Sequence, residues 1–261
     1  MAVVALAACT SAGQSAPLTI APDITTGQVV TVNDGDTIDV ETVDGQVTVR
    51  LAAVNAPELG ECFHDEALDH LAQALEGATV RLESLGPDQF ERTLAHVFVD
   101  DRHANLEMVS AGFALAITPM ADDPHGPALL TAEEQAFSSG SGLWAGGACG
   151  GDDATADLSI EPGRSVPNPE GPDHEAIEDE SIVIVNQSDV ATDLAGWVLR
   201  DESSRHRHTF PEGATIGPGE SWRVTSADPG WSPGGEPVWN NDGDLALLLD
   251  PAGNVVSRWR Y

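Results

Sequence analysis

The amino-acid sequence predicts a mainly β protein of two units, a small five-stranded barrel carrying three helices and a separate all-β sandwich behind it. Short segments that alternate apolar and polar side chains recur along the 261 residues, as half-buried strands require. Helical spacing is confined to the first half. Between the halves, Gly151–Glu180 crowds Asp, Glu, Pro and Gly together with almost no large apolar residue, the composition of an extended acidic linker. A chain of this length can bury one core on each side of such a spacer.

Taken in order, Val29–Val32, Thr37–Glu41 and Gln46–Leu51 read as strands, with Asp44-Gly45 as a hairpin turn. Val47, Val49 and Leu51 share one face, which puts Arg50 on the polar face beside Thr48. Asp65–Glu76 spaces Leu68, Leu71, Ala72 and Leu75 as a helix does. Strands follow at Thr79–Ser84 and Thr93–Val99. A short helix from Asn105 turns Leu106, Val109 and Phe113 inward, and a third, from about Pro127 to Ser138, opens on proline. Five strands with interleaved helices fit a Greek-key barrel of the OB type. Beyond the spacer, Ser181–Asn186, Leu194–Arg200, His206–Phe210, Ser221–Ser226, Leu245–Leu249 and Asn254–Trp259 are short strands between turn clusters such as Gly217-Pro218-Gly219. No helical pattern interrupts them, so this unit is a sandwich.

Charge narrows the function. The chain carries 43 acidic residues and 11 basic ones, all arginine, for a net charge of −32. Such a surface repels polyanions at low salt and suits a saline habitat or an acid-biased proteome. No apolar run approaches the ~20 residues a membrane-spanning helix needs.

Met1–Ala8 is a short apolar run ending in Leu6-Ala7-Ala8-Cys9, with a polar, small-residue tether after it. This is the pattern of a bacterial lipoprotein signal, with Cys9 as the lipidated residue and the true start expected upstream; an ordinary signal peptide is the alternative. Residues 1–23 are then signal and tether, 24–150 the barrel, 151–180 the linker and 181–261 the sandwich. Cys62 and Cys149 remain. In an exported chain such a pair is expected to bridge, two free buried thiols being the alternative. His64, His70, His96, His103 and His125 show no metal-ligand spacing and read as surface or strand residues.

Four short elements carry the chemistry: Asp34-Gly35-Asp36-Thr37, Val49-Arg50-Leu51, Asn55-Ala56-Pro57-Glu58, and Asp88-Gln89-Phe90-Glu91-Arg92. Each alone is commonplace. In this order they resemble the staphylococcal nuclease (thermonuclease) family, and the likeness runs from about Val29 to Cys149. The resemblance implies a calcium-dependent nuclease that hydrolyses phosphodiester bonds of DNA, and by extension RNA. Asp36 and Asn55 would give side-chain oxygens to Ca2+ and Ala56 its carbonyl, since calcium prefers hard oxygen ligands. Glu58 would hold and deprotonate the attacking water. Arg50 and Arg92 would grip the phosphate with planar donor forks. Asp34 and Thr37 would support the metal site, and secreted relatives often join the two cysteines.

Two departures qualify this. The family often has Asp where Asn55 stands, which implies weaker cation binding with retained activity. In the nucleotide pocket, Gln89, Phe90, Thr118 and Met120 replace a lysine and tyrosines, so Phe90 can stack but charge and hydrogen bonds are lost.

Leu194-Ala195-Gly196-Trp197-Val198-Leu199-Arg200-Asp201, Phe210-Pro211-Glu212-Gly213 and Trp239-Asn240-Asn241-Asp242-Gly243-Asp244 resemble the lamin tail domain, which implies an immunoglobulin-like sandwich. Its partner is left open. Arg205-His206-Arg207-His208 is either a solvated strand edge or a patch that touches nucleic acid. The whole reads as a monomeric, exported nuclease, lipid-anchored at the outer face of the membrane or secreted. A non-catalytic binding module and an envelope protein led by its second domain are the rivals.

Overall fold

A computed structural model describes residues 23–118, 120, 122–151 and 157–261; Cys9 and its leader lie outside them. The first unit runs β1 (Asp23–Asp34), β2 (Thr37–Thr42), β3 (Gly45–Leu51), β4 (Val54–Asn55), α1 (His64–Leu75), β5 (Thr79–Pro87), β6 (Thr93–Val99), β7 (Arg102–His103), α2 (Ala104–Ser110), β8 (Leu115–Ala116) and α3 (Gly126–Ser139). Strands β3, β2, β1, β5 and β6 lie side by side, all antiparallel. The sheet closes through a parallel pair, β3 with β6, in which Arg50 faces Leu94. This is the expected five-stranded barrel. Alternation built it: Ile38, Val40, Val49, Leu51, Val80, Leu82, Ala95 and Val97 are all buried in one core with Leu71 and Leu75 of α1. Gly45 closes the β2–β3 hairpin at φ 117°, where a side chain is strained.

One helix face differs from the expectation. In α2 the inward residues are Ala104, Asn105, Met108 and Val109, whereas Leu106 and Phe113 are only partly covered. Asn105 explains the rotation. Its Oδ1 accepts from the Val97 amide at 2.9 Å and its Nδ2 donates to the Ala52 carbonyl at 2.9 Å, so a buried amide bridges β6 to the end of β3.

The second unit comprises β9 (Leu158–Ile160), β10 (Ser181–Asn186), β11 (Thr192–Asp193), β12 (Val198–Arg200), β13 (Arg207–Thr209), β14 (Thr215–Ile216), β15 (Ser221–Thr225), β16 (Trp231–Ser232), β17 (Leu245–Leu249) and β18 (Val255–Arg260). A three-stranded sheet, β15-β10-β9, faces a five-stranded one, β16-β13-β12-β17-β18. Trp197, Phe210, Trp231 and Trp239 fill the space with Ile182, Ile184 and Leu248. Part of the stretch expected as linker belongs to this unit. Leu158 and Ile160 of β9 are buried, and β9 pairs with β10.

The two units share a seam. Leu115, Ala136 and Trp144 of the first pack against Leu245, Leu247 and Leu249 of the second. Arg260 crosses it, meeting Glu133 at 2.9 Å and Glu202 at 2.8 Å and donating to the Ala116 carbonyl at 2.6 Å. Cys62 and Cys149 form a disulfide across 87 residues of chain, and beside it the Cys149 amide donates to Asn254 Oδ1 at 2.7 Å. A loop of that length constrains the unfolded chain by about 4–5 kcal/mol in the chain-entropy account. The Cys62→Ser/Cys149→Ser variant is therefore expected to melt about 10 °C lower in calorimetry.

Candidate active site

The site begins in the Asp34–Thr37 turn between β1 and β2. Gly35 is required there, because a Cβ would stand 2.6 Å from that of Ala56 and 2.7 Å from that of Ala67. The turn is held by its own side chains. Asp34 Oδ1 accepts from the Asp36 amide at 2.9 Å, and Asp36 Oδ1 accepts from Thr37 Oγ1 at 3.0 Å. Asp36 Oδ2 accepts from the Ala56 amide at 2.8 Å and meets Arg50 Nη2 at 2.8 Å. Burial pushes the Asp36 carboxyl up to about 7, against the pull of Arg50.

Arg50 joins these parts. Its guanidinium donates to the Val54 carbonyl at 2.8 Å and to Asn55 Oδ1 at 3.1 Å. The β4–β8 pair fixes Asn55 opposite Leu115. Asp36, Arg50, Asn55 and Ala56, with Asp34 and Thr37 behind them, thus form one cluster. Arg92, just before β6, meets this cluster through Arg50 alone: Arg50 and Arg92 line a cavity of about 240 Å³ with Asp88, Thr118, Met120 and Asp123, whereas Asn55 and Ala56 line a separate one. Asp88 orients Arg92, accepting from its Nε at 2.7 Å.

Two sequence-predicted residues stand apart. Phe90 is 68% exposed and is not in the cavity wall; the Arg92 guanidinium lies 5.4 Å from its ring centre. Glu58 is exposed on the loop after Ala56 and does not line the cavity, while its amide donates to Glu61 Oε2 at 3.0 Å.

The donors suit a hard cation. The Asp36 and Asn55 oxygens flank Arg50 Nη2 with no thiolate or imidazole among them, and burial raises the Asp36 carboxyl even with that guanidinium beside it. Among the described residues no three His, Cys, Asp or Glu form a metal-holding group. Asp36, Asn55 and the Ala56 carbonyl are the oxygens that would hold calcium.

His96 and His103 lie in strands, as expected, but with His125 they also form a cluster. His96 is wholly buried; its Nε2 donates to Asp123 Oδ1 at 3.0 Å, leaving Nδ1 to accept from His103 Nε2 at 3.1 Å. His125 meets Glu83 at 2.9 Å. Neither strand spacing nor composition pointed to this cluster, whose members come from β6, β7 and the turn before α3. The basic stretch at 205–208 is likewise no free patch. Arg205 pairs with Glu236, His206 with Asp201, Arg207 with Glu61, and His208 is buried against Trp231. Sequence reasoning also missed Glu202, whose carbonyl accepts from Asn55 Nδ2 at 3.2 Å across 147 residues of chain.

The barrel is closed, two arginines line one rim cavity, and a buried oxygen-donor cluster adjoins Arg50. Residues 48–146 match the Staphylococcal nuclease homologue family and 152–261 the Lamin Tail Domain. An uncharacterized endonuclease of Haemophilus influenzae is 38% identical over 121 residues, 46% of this chain and 66% of that protein. An uncharacterized endonuclease of Escherichia coli O157:H7 is 33% identical over 119 residues, 45% of this chain and 76% of that one. A micrococcal nuclease of Shigella flexneri is 39% identical over 72 residues, 28% of this chain and 41% of that one. The chain belongs to the staphylococcal nuclease homologues, and its amino-terminal half is a nuclease-type hydrolase domain followed by a lamin tail domain.

Burial, with the imidazoles of His96 and His125 packed against it, pushes His103 down to about 3 from the usual 6.5. A depressed histidine favours the neutral form in the fold, so its stability is full above pH 6.5 and is lost as pH falls towards 3. His103 thus contributes a loss of melting temperature as pH falls from 7 to 4, opposed by Asp36 and Asp244, whose carboxyls burial raises to about 7. His103→Gln, which keeps a donor for His96, should remove that loss, so that the variant's melting temperature falls less than the wild type's over this range in a fluorescence melt.

Proposed function

We propose that this chain is a calcium-dependent nuclease acting on DNA, and also RNA, outside the cell, with Cys9 carrying a lipid anchor. The observation that carries the reading is the shared cavity of Arg50 and Arg92 beside the Asp36–Asn55 cluster. Two permanent charges with fork-shaped donors can hold a phosphodiester and stabilise the charge that grows on its oxygens. Bound calcium would polarise the phosphate as a Lewis acid. Glu58, exposed two residues beyond Ala56, is free to turn towards the phosphate and accept the proton of the attacking water. Thr118 and Met120 in the cavity wall offer a base little beyond packing, so affinity rests on the phosphate.

Purified protein is expected to cleave single-stranded DNA with calcium and to stop when a chelator is added. Arg50→Ala and Arg92→Ala should each lower kcat/KM about 10²–10³-fold. Chelator-insensitive cleavage, or none, contradicts the proposal.

Salt gives an independent check. Residues 24–150 hold 21 acidic side chains against 4 arginines, so substrate and enzyme repel each other until ions screen them. The cleavage rate is expected to climb from low salt to an optimum at raised ionic strength. A steady fall from the lowest salt upward rules this out.

A further inference from the structure

The turn between β12 and β13, in the second domain, touches the nuclease site at three points. The carbonyl of Glu202 accepts from Asn55 Nδ2 at 3.2 Å. The carboxylate of Glu202 accepts from the Thr118 amide at 2.6 Å and from its hydroxyl at 2.9 Å. Arg200 and Arg207 both pair with Glu61, which in turn accepts the Glu58 amide. Asn55 belongs to the oxygen-donor cluster, Thr118 to the cavity wall and Glu58 to the loop between Ala56 and α1. Glu202 is only 1% exposed and is held by Arg260 at 2.8 Å, so the grip is anchored.

This contact accounts for asparagine at 55. An amide has an acceptor end and a donor end. Here Oδ1 accepts from Arg50 Nη2 at 3.1 Å while Nδ2 donates to the Glu202 carbonyl. A carboxylate at 55 would set a second oxygen lone pair against that carbonyl, in a side chain 3% exposed, with the Asp36 carboxylate also bound to Arg50. We propose that Glu202 is a positioning residue of the nuclease site, through which the second domain orients Asn55 and Thr118, and that asparagine at 55 is the residue this docking requires. The proposal rests on the nuclease reading. It adds that catalysis in this chain depends on a residue of the other domain.

The test uses the full chain and two variants, Glu202→Ala and Asn55→Asp. Cleavage of single-stranded DNA with calcium gives kcat and KM, and hydrogen exchange read by mass spectrometry follows residues 53–57 and 115–118. Both variants are expected to lose about tenfold or more in kcat, with KM changed far less, as loosened positioning predicts. Exchange should quicken in 115–118 for Glu202→Ala, which loses the carboxylate but keeps the carbonyl, and in 53–57 for Asn55→Asp, and stay unchanged in β10. A carboxylate at 55 would thus lower activity, where a simple ligand effect would raise it. Wild-type kcat in folded Glu202→Ala, or a raised kcat in Asn55→Asp, overturns the proposal. If Glu202→Ala does not fold, Asn55→Asp, nearly isosteric, carries the test alone. Exchange that quickens while even the wild type fails to cleave would sink the nuclease reading instead. Cleavage with unaltered exchange in both variants would sink only the docking role.

Discussion

One guanidinium between two buried carboxylates holds this molecule together. Arg260, from the last strand of the sandwich, meets Glu133 on α3 and Glu202 beyond β12, and each acid is 1% exposed. A buried charge left without its partner is costly, so neither domain can withdraw without stranding one. The apolar contact of Trp144 with Leu245 and Leu247 adds area but little direction. The ions set the register. Arg258 reinforces it, lying 3.9 Å from the Phe137 ring centre and pairing with Glu133 and Glu134.

The scarcity of cations makes such pairs stand out. Of eleven arginines, nine sit in ion pairs with carboxylates, and Arg164 and Arg223 donate to hydroxyl or carbonyl oxygens. Positive charge is therefore spent inside the structure, and the field that reaches solvent is that of unpaired acid. The rim arginines are committed as well, to Asp36 and Asp88. A phosphate entering the cavity joins existing pairs instead of meeting bare charge.

The sequence showed the barrel clearly because alternation and turn chemistry agree along β1 to β6, and Gly45 and Gly35 mark positions only glycine suits. It misjudged α2, where a buried asparagine satisfies backbone groups of two strands and so outranks leucine spacing. It also read β9 as linker, since three residues between acidic runs carry too little pattern to register. The motif residues around Asp36, Arg50 and Asn55 were legible from order and spacing, and they do converge. What stayed hidden was everything made by long-range packing: the histidine cluster, the commitments of Arg205 to His208, and the approach of Glu202 to Asn55. No local signal encodes contacts between elements so far apart along the chain.

The parallel pair that closes the barrel has one more implication. Arg50 sits in that pair opposite Leu94, two residues past Arg92, so closure itself is what brings the two guanidiniums to one rim. Before β3 meets β6 they are distant points on a string, with no common phosphate between them. Non-local pairing of this kind is slow to form compared with a hairpin. A chain in which β3 and β6 have not paired lacks the shared rim, whatever else has folded.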